Sequence, residues 1–172
     1  SSDVCSSDLD KLMIATGASS IIPPIKNLDI ENVHTLKSME DGIRLKELFR
    51  DENNKNIAII GAGFIGLEAV EAAKKYGKKV SVFQLGDRIL QDVFDKEITD
   101  LLEEELRNHN VDLYLQESVT EIIGDKKVKR VKTPNREVEA DVVIIATGVR
   151  PNTEFLKNSN LEMLPNGAII VD

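Results

Sequence analysis

The 172-residue chain has one cysteine, no tryptophan and two histidines. One cysteine excludes an intrachain disulfide framework, and so few Cys and His leave no cluster for a structural zinc. No apolar run approaches the roughly 18 residues that suggest a membrane span. Positive charge is in deficit. Lys and Arg number 22 against 30 Asp and Glu, for a net charge of −8. A chain of that sign lacks the basic footprint of a phosphate backbone, so neither nucleic acid nor a membrane is an expected partner. The two histidines, His34 and His109, stand isolated and read as surface residues. What remains is 41% hydrophobic, 30% charged and 4% aromatic. That is an ordinary globular composition, and the length suits one domain or a little more.

Residues 1–9, SSDVCSSDL, resemble the translation of a common short-read sequencing adapter. They are set aside from fold reasoning as a scar. Cys5 goes with them and carries no expected redox role. The adapter-like start, and the stop at Asp172 directly after the apolar run 168–171, give the expectation of an internal fragment of a longer protein.

Along the rest of the chain, DKLMIAT at 10–16 reads as a short buried strand ending at Gly17. Pro23 and Pro24 leave 18–37 as a connecting stretch. Ser38 and Asp41 resemble a capping box, and a helix follows to about Arg50. The run Ile57-Ala58-Ile59-Ile60 reads as a strand buried on both faces. A helix over 65–76 would share a face of Ile65, Ala69, Ala72, Ala73 and Tyr76 and end at Gly77 in a left-handed cap. A strand over 80–83 comes next, then a helix over 95–108 with Ile98, Leu101, Leu102 and Leu106 on one side. The run Glu103-Glu104-Glu105 reads as its solvated face. A third strand covers 111–115. Residues 119–140 hold short β-type runs split by turns, which reads as an antiparallel meander. Residues 142–145 form another buried strand. Alternating strands and helices place the chain in the α/β class, with a Rossmann-like parallel sheet carrying an antiparallel β-meander.

Between the strand at 57–60 and the next helix lies Gly61-Ala62-Gly63-Phe64-Ile65-Gly66, a GxGxxG in its strand–turn–helix context. Gly61 permits the tight turn. Gly63 lets the backbone approach a pyrophosphate, and Gly66 lets the helix pack on the strand. The helix N-terminus would hold the phosphates of a small-molecule dinucleotide. The ribose-reading position, about 20 residues on, selects NAD when acidic and NADP when an Arg is near. Here it is Gln84, with Asp87 and Arg88 close behind. Gln can bond a 2′-OH without repelling a 2′-phosphate, so NADH is preferred and NADPH stays possible. Glu68, one turn into the helix, could accept from a carboxamide or simply complement the helix dipole. No metal-ligand spacing is present.

NIAIIGAGFIGLEAVEAA, KVSVFQLGDRIL, FDKEITDLLEEEL and DVVIIATGVRPNTEF together resemble the flavin-dependent pyridine nucleotide–disulfide oxidoreductases. The chain looks most like the coenzyme A-disulfide reductase and NADH oxidase/peroxidase branch. The resemblance covers residues 10–172. It implies that 10–50 end a first FAD-domain segment and its linker, 51–147 form the NAD(H) domain, and 148–172 begin a second FAD-domain segment. The sheet would thus be flanked by pieces of a second Rossmann-like domain. By the same resemblance Ala15, Thr16 and Gly17 touch FAD, Gly148 lies near the bound nicotinamide dinucleotide, Phe64 gates the nicotinamide pocket and Glu68 meets the carboxamide. It also implies a cytoplasmic homodimer as the longer protein. The residue at 84 departs from the carboxylate usual in the branch. The family's FAD fingerprint and redox cysteine have no counterpart in the sequence, so the chain alone is expected to show no turnover. Two other readings stand beside this one: a stand-alone NAD(H)-binding module without catalysis, and a ferredoxin-type or dihydrolipoamide-type reductase of the same superfamily.

Overall fold

The structure is a computed structural model, and it describes residues 9–171. Residues 1–8 of the adapter-like segment, with Cys5, lie outside the described residues. The chain divides into two compact units, at 19/20 and again at 149/150.

The larger unit is built on five parallel strands in the order β2-β9-β3-β4-β5. These are β2 (Val33–Thr35), β3 (Asn56–Ile60), β4 (Lys79–Gln84), β5 (Val111–Leu115) and β9 (Val142–Ile145). Alternation along β3 explains why its run is apolar throughout. Ile57 and Ile59 face one core with α1 (Met39–Arg50) and α2 (Phe64–Lys75). Ala58 and Ile60 face a second core with Phe83, Ile122 and Val131. That second face is covered by the antiparallel sheet of β6 (Glu121–Gly124), β7 (Val128–Lys132) and β8 (Glu137–Glu139). The meander read from the sequence takes the place of a second helical layer. Each fully buried Ile or Val in these cores contributes roughly 1.5–3 kcal/mol.

Local signals set the element ends. The Ser38 hydroxyl accepts from the Asp41 N–H at 3.2 Å and Asp41 Oδ2 accepts from the Ser38 N–H at 3.0 Å, closing the capping box of α1. The Ser38 N–H foremost, and the Lys37 N–H that donates to the same oxygen at 3.0 Å, hold the Asp41 carboxyl below its usual pKa. Gly77, at φ 68°, ends α2 by donating to the Lys74 carbonyl at 2.9 Å. Asp141 Oδ2 accepts from the Lys55 and Asn56 N–H groups at 2.9 and 2.8 Å, fastening the start of β3 beside β9.

Several expectations are corrected. Residues 10–16 form no strand, and Leu12 and Met13 are 71% and 88% exposed. A strand needs a neighbour for its N–H and C=O groups, and none lies beside this segment among the described residues. The stretch 18–37 is more than a connection. It contains β1 (Ala18–Ser20) and the edge strand β2, so β2 and α1 belong to the same unit as residues 51–147. On α2 the buried face is Gly66, Ala69, Val70 and Ala73, while Ile65 and Tyr76 are exposed. On α3 (Lys96–Asn108) Leu102 and Leu106 pack inward, but Ile98 and Leu101 face out and Thr99 is buried. His34 lies half-buried in β2, where burial first and Arg44 second lower its pKa. His109 is exposed at the end of α3, 3.0 Å from the Glu105 carbonyl.

In the smaller unit, Asn152 is a clamp. Its side-chain amide donates to the Thr16 carbonyl at 3.0 Å, and its N–H donates to the Gly17 carbonyl at 2.9 Å. The remainder is β10 (Val149–Pro151), which starts at the unit boundary and pairs with β1, a short 3-10 turn at Glu154–Leu156, and a tight hairpin at 162–170. Among the described residues the two flanking segments build no Rossmann layer of their own.

Candidate functional site

The C-terminal ends of β3, β4 and β9 meet at one edge, and the Gly-rich turn sits there. Each of its glycines answers to a different constraint. Gly61 has φ 105°, and a Cβ on it would lie 2.4 Å from the Ala146 carbonyl oxygen. The backbone at the end of β9 lies directly against it, so position 61 tolerates no side chain. A Cβ on Gly66 would lie 2.1 Å from the Gly61 oxygen, because α2 packs its first turn against the loop. Gly63 differs from both. Its φ is −82°, and a Cβ there would meet nothing within 4 Å. The fold itself does not require a glycine at 63.

Gly63 is the N-cap of α2 and supplies no side-chain cap, and the first turn holds no acidic residue. The other two α-helices begin with acidic side chains in their first turn. The first N–H groups of α2 therefore present uncompensated positive dipole ends, the arrangement that receives an anion.

Above this turn lies a cleft of about 370 Å³. Of the residues nominated from the sequence, Gly61, Ala62, Gly63, Phe64, Ile65, Gln84 and Gly148 line it together. Gly66 is buried beneath the turn. Glu68 does not line the cleft. It is exposed on α2, one turn below Phe64 on the same helix face, and borders the groove between α2 and α1. Ala15, Thr16 and Gly17 belong to the smaller unit, where the Thr16 hydroxyl donates to the Asn152 carbonyl at 2.9 Å. The two IATG segments share one device: Thr147 likewise donates to a backbone carbonyl, that of Ile21, at 2.7 Å, and Gly17 and Gly148 both have positive φ.

Gln84 is more constrained than its sequence position suggests. Its Oε1 accepts from the Ala62 N–H at 3.0 Å. The donor fixes the amide orientation, so the NH2 end is what Gln84 can offer a ligand. An amide NH2 donates equally to a hydroxyl and to a phosphate. Arg88 is turned away. Its guanidinium donates to the Gln91 and Phe94 carbonyls at 3.2 Å each, holding the 88–94 loop in shape.

Beyond Arg88 the sequence gives no signal for that loop, and its residues 90–93 form the far wall of the cleft. The Leu90 N–H donates to the Ala62 carbonyl at 3.2 Å, with Leu90 at φ 46°. Phe94 meets Phe64 edge to face at 6.0 Å. Glu103, read as solvated, accepts from the Ile89 N–H at 3.2 Å and anchors the loop to α3. No local pattern marks such contacts, since each joins a loop to a helix across a sequence gap. Among the described residues no group of three or more His, Cys, Asp or Glu could hold a metal, and no helix is long and apolar enough to cross a membrane.

A parallel sheet with a glycine turn feeding an uncapped helix at its C-terminal edge defines a Rossmann-type α/β protein. Residues 3–172 match the family described as pyridine nucleotide-disulphide oxidoreductase, and the chain belongs to that family. It is 44% identical over 165 residues to an NADH oxidase of Enterococcus faecalis, covering 95% of this chain and 36% of that one. It is 40% identical over 160 residues to a CoA-dependent NAD(P)H sulfur oxidoreductase of Pyrococcus abyssi, covering 93% and 36%. Among solved structures it resembles the water-forming NADH oxidase of Lactobacillus brevis bound to NADH, with a TM-score of 0.82 and 35% identity over 91% of this chain and 34% of that one. The chain thus spans about a third of the length of the relatives it matches.

Proposed function

We propose that the chain is the NAD(P)H-binding portion of a flavoprotein oxidoreductase, which passes hydride from NAD(P)H to FAD and on to a thiol, disulfide or oxygen acceptor. The observation that supports this most directly is Gly63, a glycine with neither a positive φ nor a steric neighbour, at the mouth of an uncapped helix. Its missing side chain makes room for something outside the chain. A pyrophosphate has the charge and reach for that space. Bound nicotinamide and flavin dinucleotides would supply the redox chemistry themselves, and the protein the orientation and electrostatics.

In this reading the N-terminal N–H groups of α2 hold the pyrophosphate, Phe64 covers the nicotinamide end, and Glu68 is the carboxylate below it for the carboxamide. Gly148 leaves the cleft open at the end of β9. Ala15, Thr16 and Gly17 are the proposed FAD-side contacts. The Thr16 hydroxyl and carbonyl and the Gly17 carbonyl are already engaged by Asn152, so no chemical step is assigned to them. The proposed organisation is the one the family resemblance implies, with residues 51–147 as the dinucleotide domain and β2 and α1 completing its sheet and helical layer.

Titration of the purified chain with NADH, followed by nicotinamide fluorescence, tests the site. Saturable binding that AMP displaces is expected, with no NADH oxidation by the chain alone. Lack of saturation at millimolar NADH would overturn the reading. A second expected result concerns cofactor choice. Gln84→Glu keeps the acceptor for the Ala62 N–H and replaces the NH2 with a carboxylate oxygen. Repulsion of a 2′-phosphate at contact range should then shift the NADH-to-NADPH affinity ratio toward NADH by about tenfold. Competition titrations read that ratio, and an unchanged value would remove Gln84 from the ribose site.

A further inference from the structure

The cleft does not end at Gln84. A second hollow of about 400 Å³ continues it around the sheet edge, and Gln84 and Gln91 line both. The two side chains are registered to one residue of the glycine turn. The Ala62 N–H donates to Gln84 Oε1 at 3.0 Å. The Ala62 carbonyl accepts from the Leu90 N–H at 3.2 Å, which fixes the chain directly before Gln91. Arg88 holds Gln91 from the other side, donating to its backbone carbonyl at 3.2 Å.

Gly86 lies between the two amides. Its φ is not positive, so its backbone does not call for glycine. Its surroundings do. A Cβ there would lie 1.9 Å from Gln91 Oε1 and 3.1 Å from Gln84 Nε2. The missing side chain lets the oxygen of one amide and the NH2 of the other converge on one spot. Neither atom bonds the other or any further group among the described residues. Both are open to solvent, because the only buried side-chain polar atom without a partner among those residues is Glu117 Oε2.

A donor and an acceptor aimed at one spot match a hydroxyl group. Gln84 cannot turn over, since the Ala62 N–H requires its oxygen. Its NH2 faces Gln91 and favours the oxygen of that amide over its NH2. A hydroxyl accepts from one neighbour and donates to the other, whereas a phosphate dianion can only accept. We propose that Gln91 is a specificity-determining residue: the 2′-hydroxyl of the adenosine ribose accepts from Gln84 Nε2 and donates to Gln91 Oε1. The acceptor that a carboxylate at 84 would provide is supplied instead from position 91, across Gly86. This rests on the dinucleotide reading above and adds the second half of its ribose site.

AMP and 2′-deoxy-AMP, titrated as competitors of NADH on the intact chain, test it. The wild-type chain is expected to bind AMP about tenfold more tightly, the worth of the hydrogen bonds to one hydroxyl. Gln91→Leu should cut that ratio to about threefold, by weakening AMP and leaving 2′-deoxy-AMP unchanged. A structural role for Gln91 would weaken both ligands alike, and that result overturns the proposal. Gln91→Glu keeps an acceptor and should retain the wild-type ratio. Gly86→Ala reaches the same amide from the opposite side. Its methyl would take the place of the Gln91 oxygen, and what must move is the end of a flexible side chain, so the fold survives and the ratio falls as in Gln91→Leu. This second variant carries the test if Gln91→Leu does not fold. Equal affinity of the wild-type chain for AMP and 2′-deoxy-AMP, or an unchanged ratio in the variants, overturns the proposal and leaves the dinucleotide site standing. Failure of AMP to displace NADH from the wild-type chain overturns the site itself.

Discussion

Gly63→Val removes saturable NADH binding, a loss of at least about 100-fold, or about 2.7 kcal/mol, while the chain stays folded. The two halves of that result have separate causes. The fold has only a small stake in residue 63: the backbone there is in an ordinary extended conformation and a Cβ meets no protein atom within 4 Å, so the cost is that of a poorer N-cap, about 1 kcal/mol. The ligand has a large stake. A branched side chain at the N-cap of α2 would occupy the space through which a phosphate reaches the first N–H groups of the helix. Fluorescence titration reads the binding, and circular dichroism with a urea midpoint reads the fold. Unchanged affinity would mean that the ligand of this cleft does not approach the helix end.

The complementary substitution is Gly66→Ala, with an expected loss of about 3 kcal/mol of stability or more. One methyl group is enough, because the Cβ would sit 2.1 Å from the Gly61 oxygen and 3.5 Å from Ile59 Cγ2. The nearer atom is backbone, so relief requires α2 to move off β3 rather than one side chain to rotate. The urea midpoint of the variant measures it. A loss below 1 kcal/mol would show that the first turn of α2 can slide without harm. Together the two variants separate a glycine kept for a ligand from a glycine kept for the fold, within one six-residue turn.

The sequence made the central layers legible because their signals are local. The run 57–60, the glycine turn, the Ser38–Asp41 box and Gly77 each declare an element within a few residues, and the structure holds all of them. Two short segments depart from their sequence signals for opposite reasons. Residues 10–16 have a strand's composition and, among the described residues, no neighbour to pair with. Residues 33–35 are three unremarkable residues after a proline-containing stretch, made into a strand only by β9 beside them. The site divides in the same way. The turn that cradles an anion was visible, since it is one motif. The wall formed by residues 90–93 and the Phe94–Phe64 contact were not, since they reach Ala62 and Phe64 from another element. Gln84 was assigned a ligand contact from its position, and half of its amide proves to be engaged by the turn itself.

The strand order β2-β9-β3-β4-β5 also has a consequence for how the chain is made. During synthesis from the N-terminus, β2 and β3 emerge early, yet they never touch. The strand that lies between them, Val142–Ile145, is the last of the five to appear. Until then β3 can pair with β4 on one side only, and its other edge waits unsealed. An unsealed edge of that kind is a template for pairing between nascent chains. The late strand is therefore the closing stitch of the sheet, and a ribosome stalled before it would release a product prone to stick to its own kind.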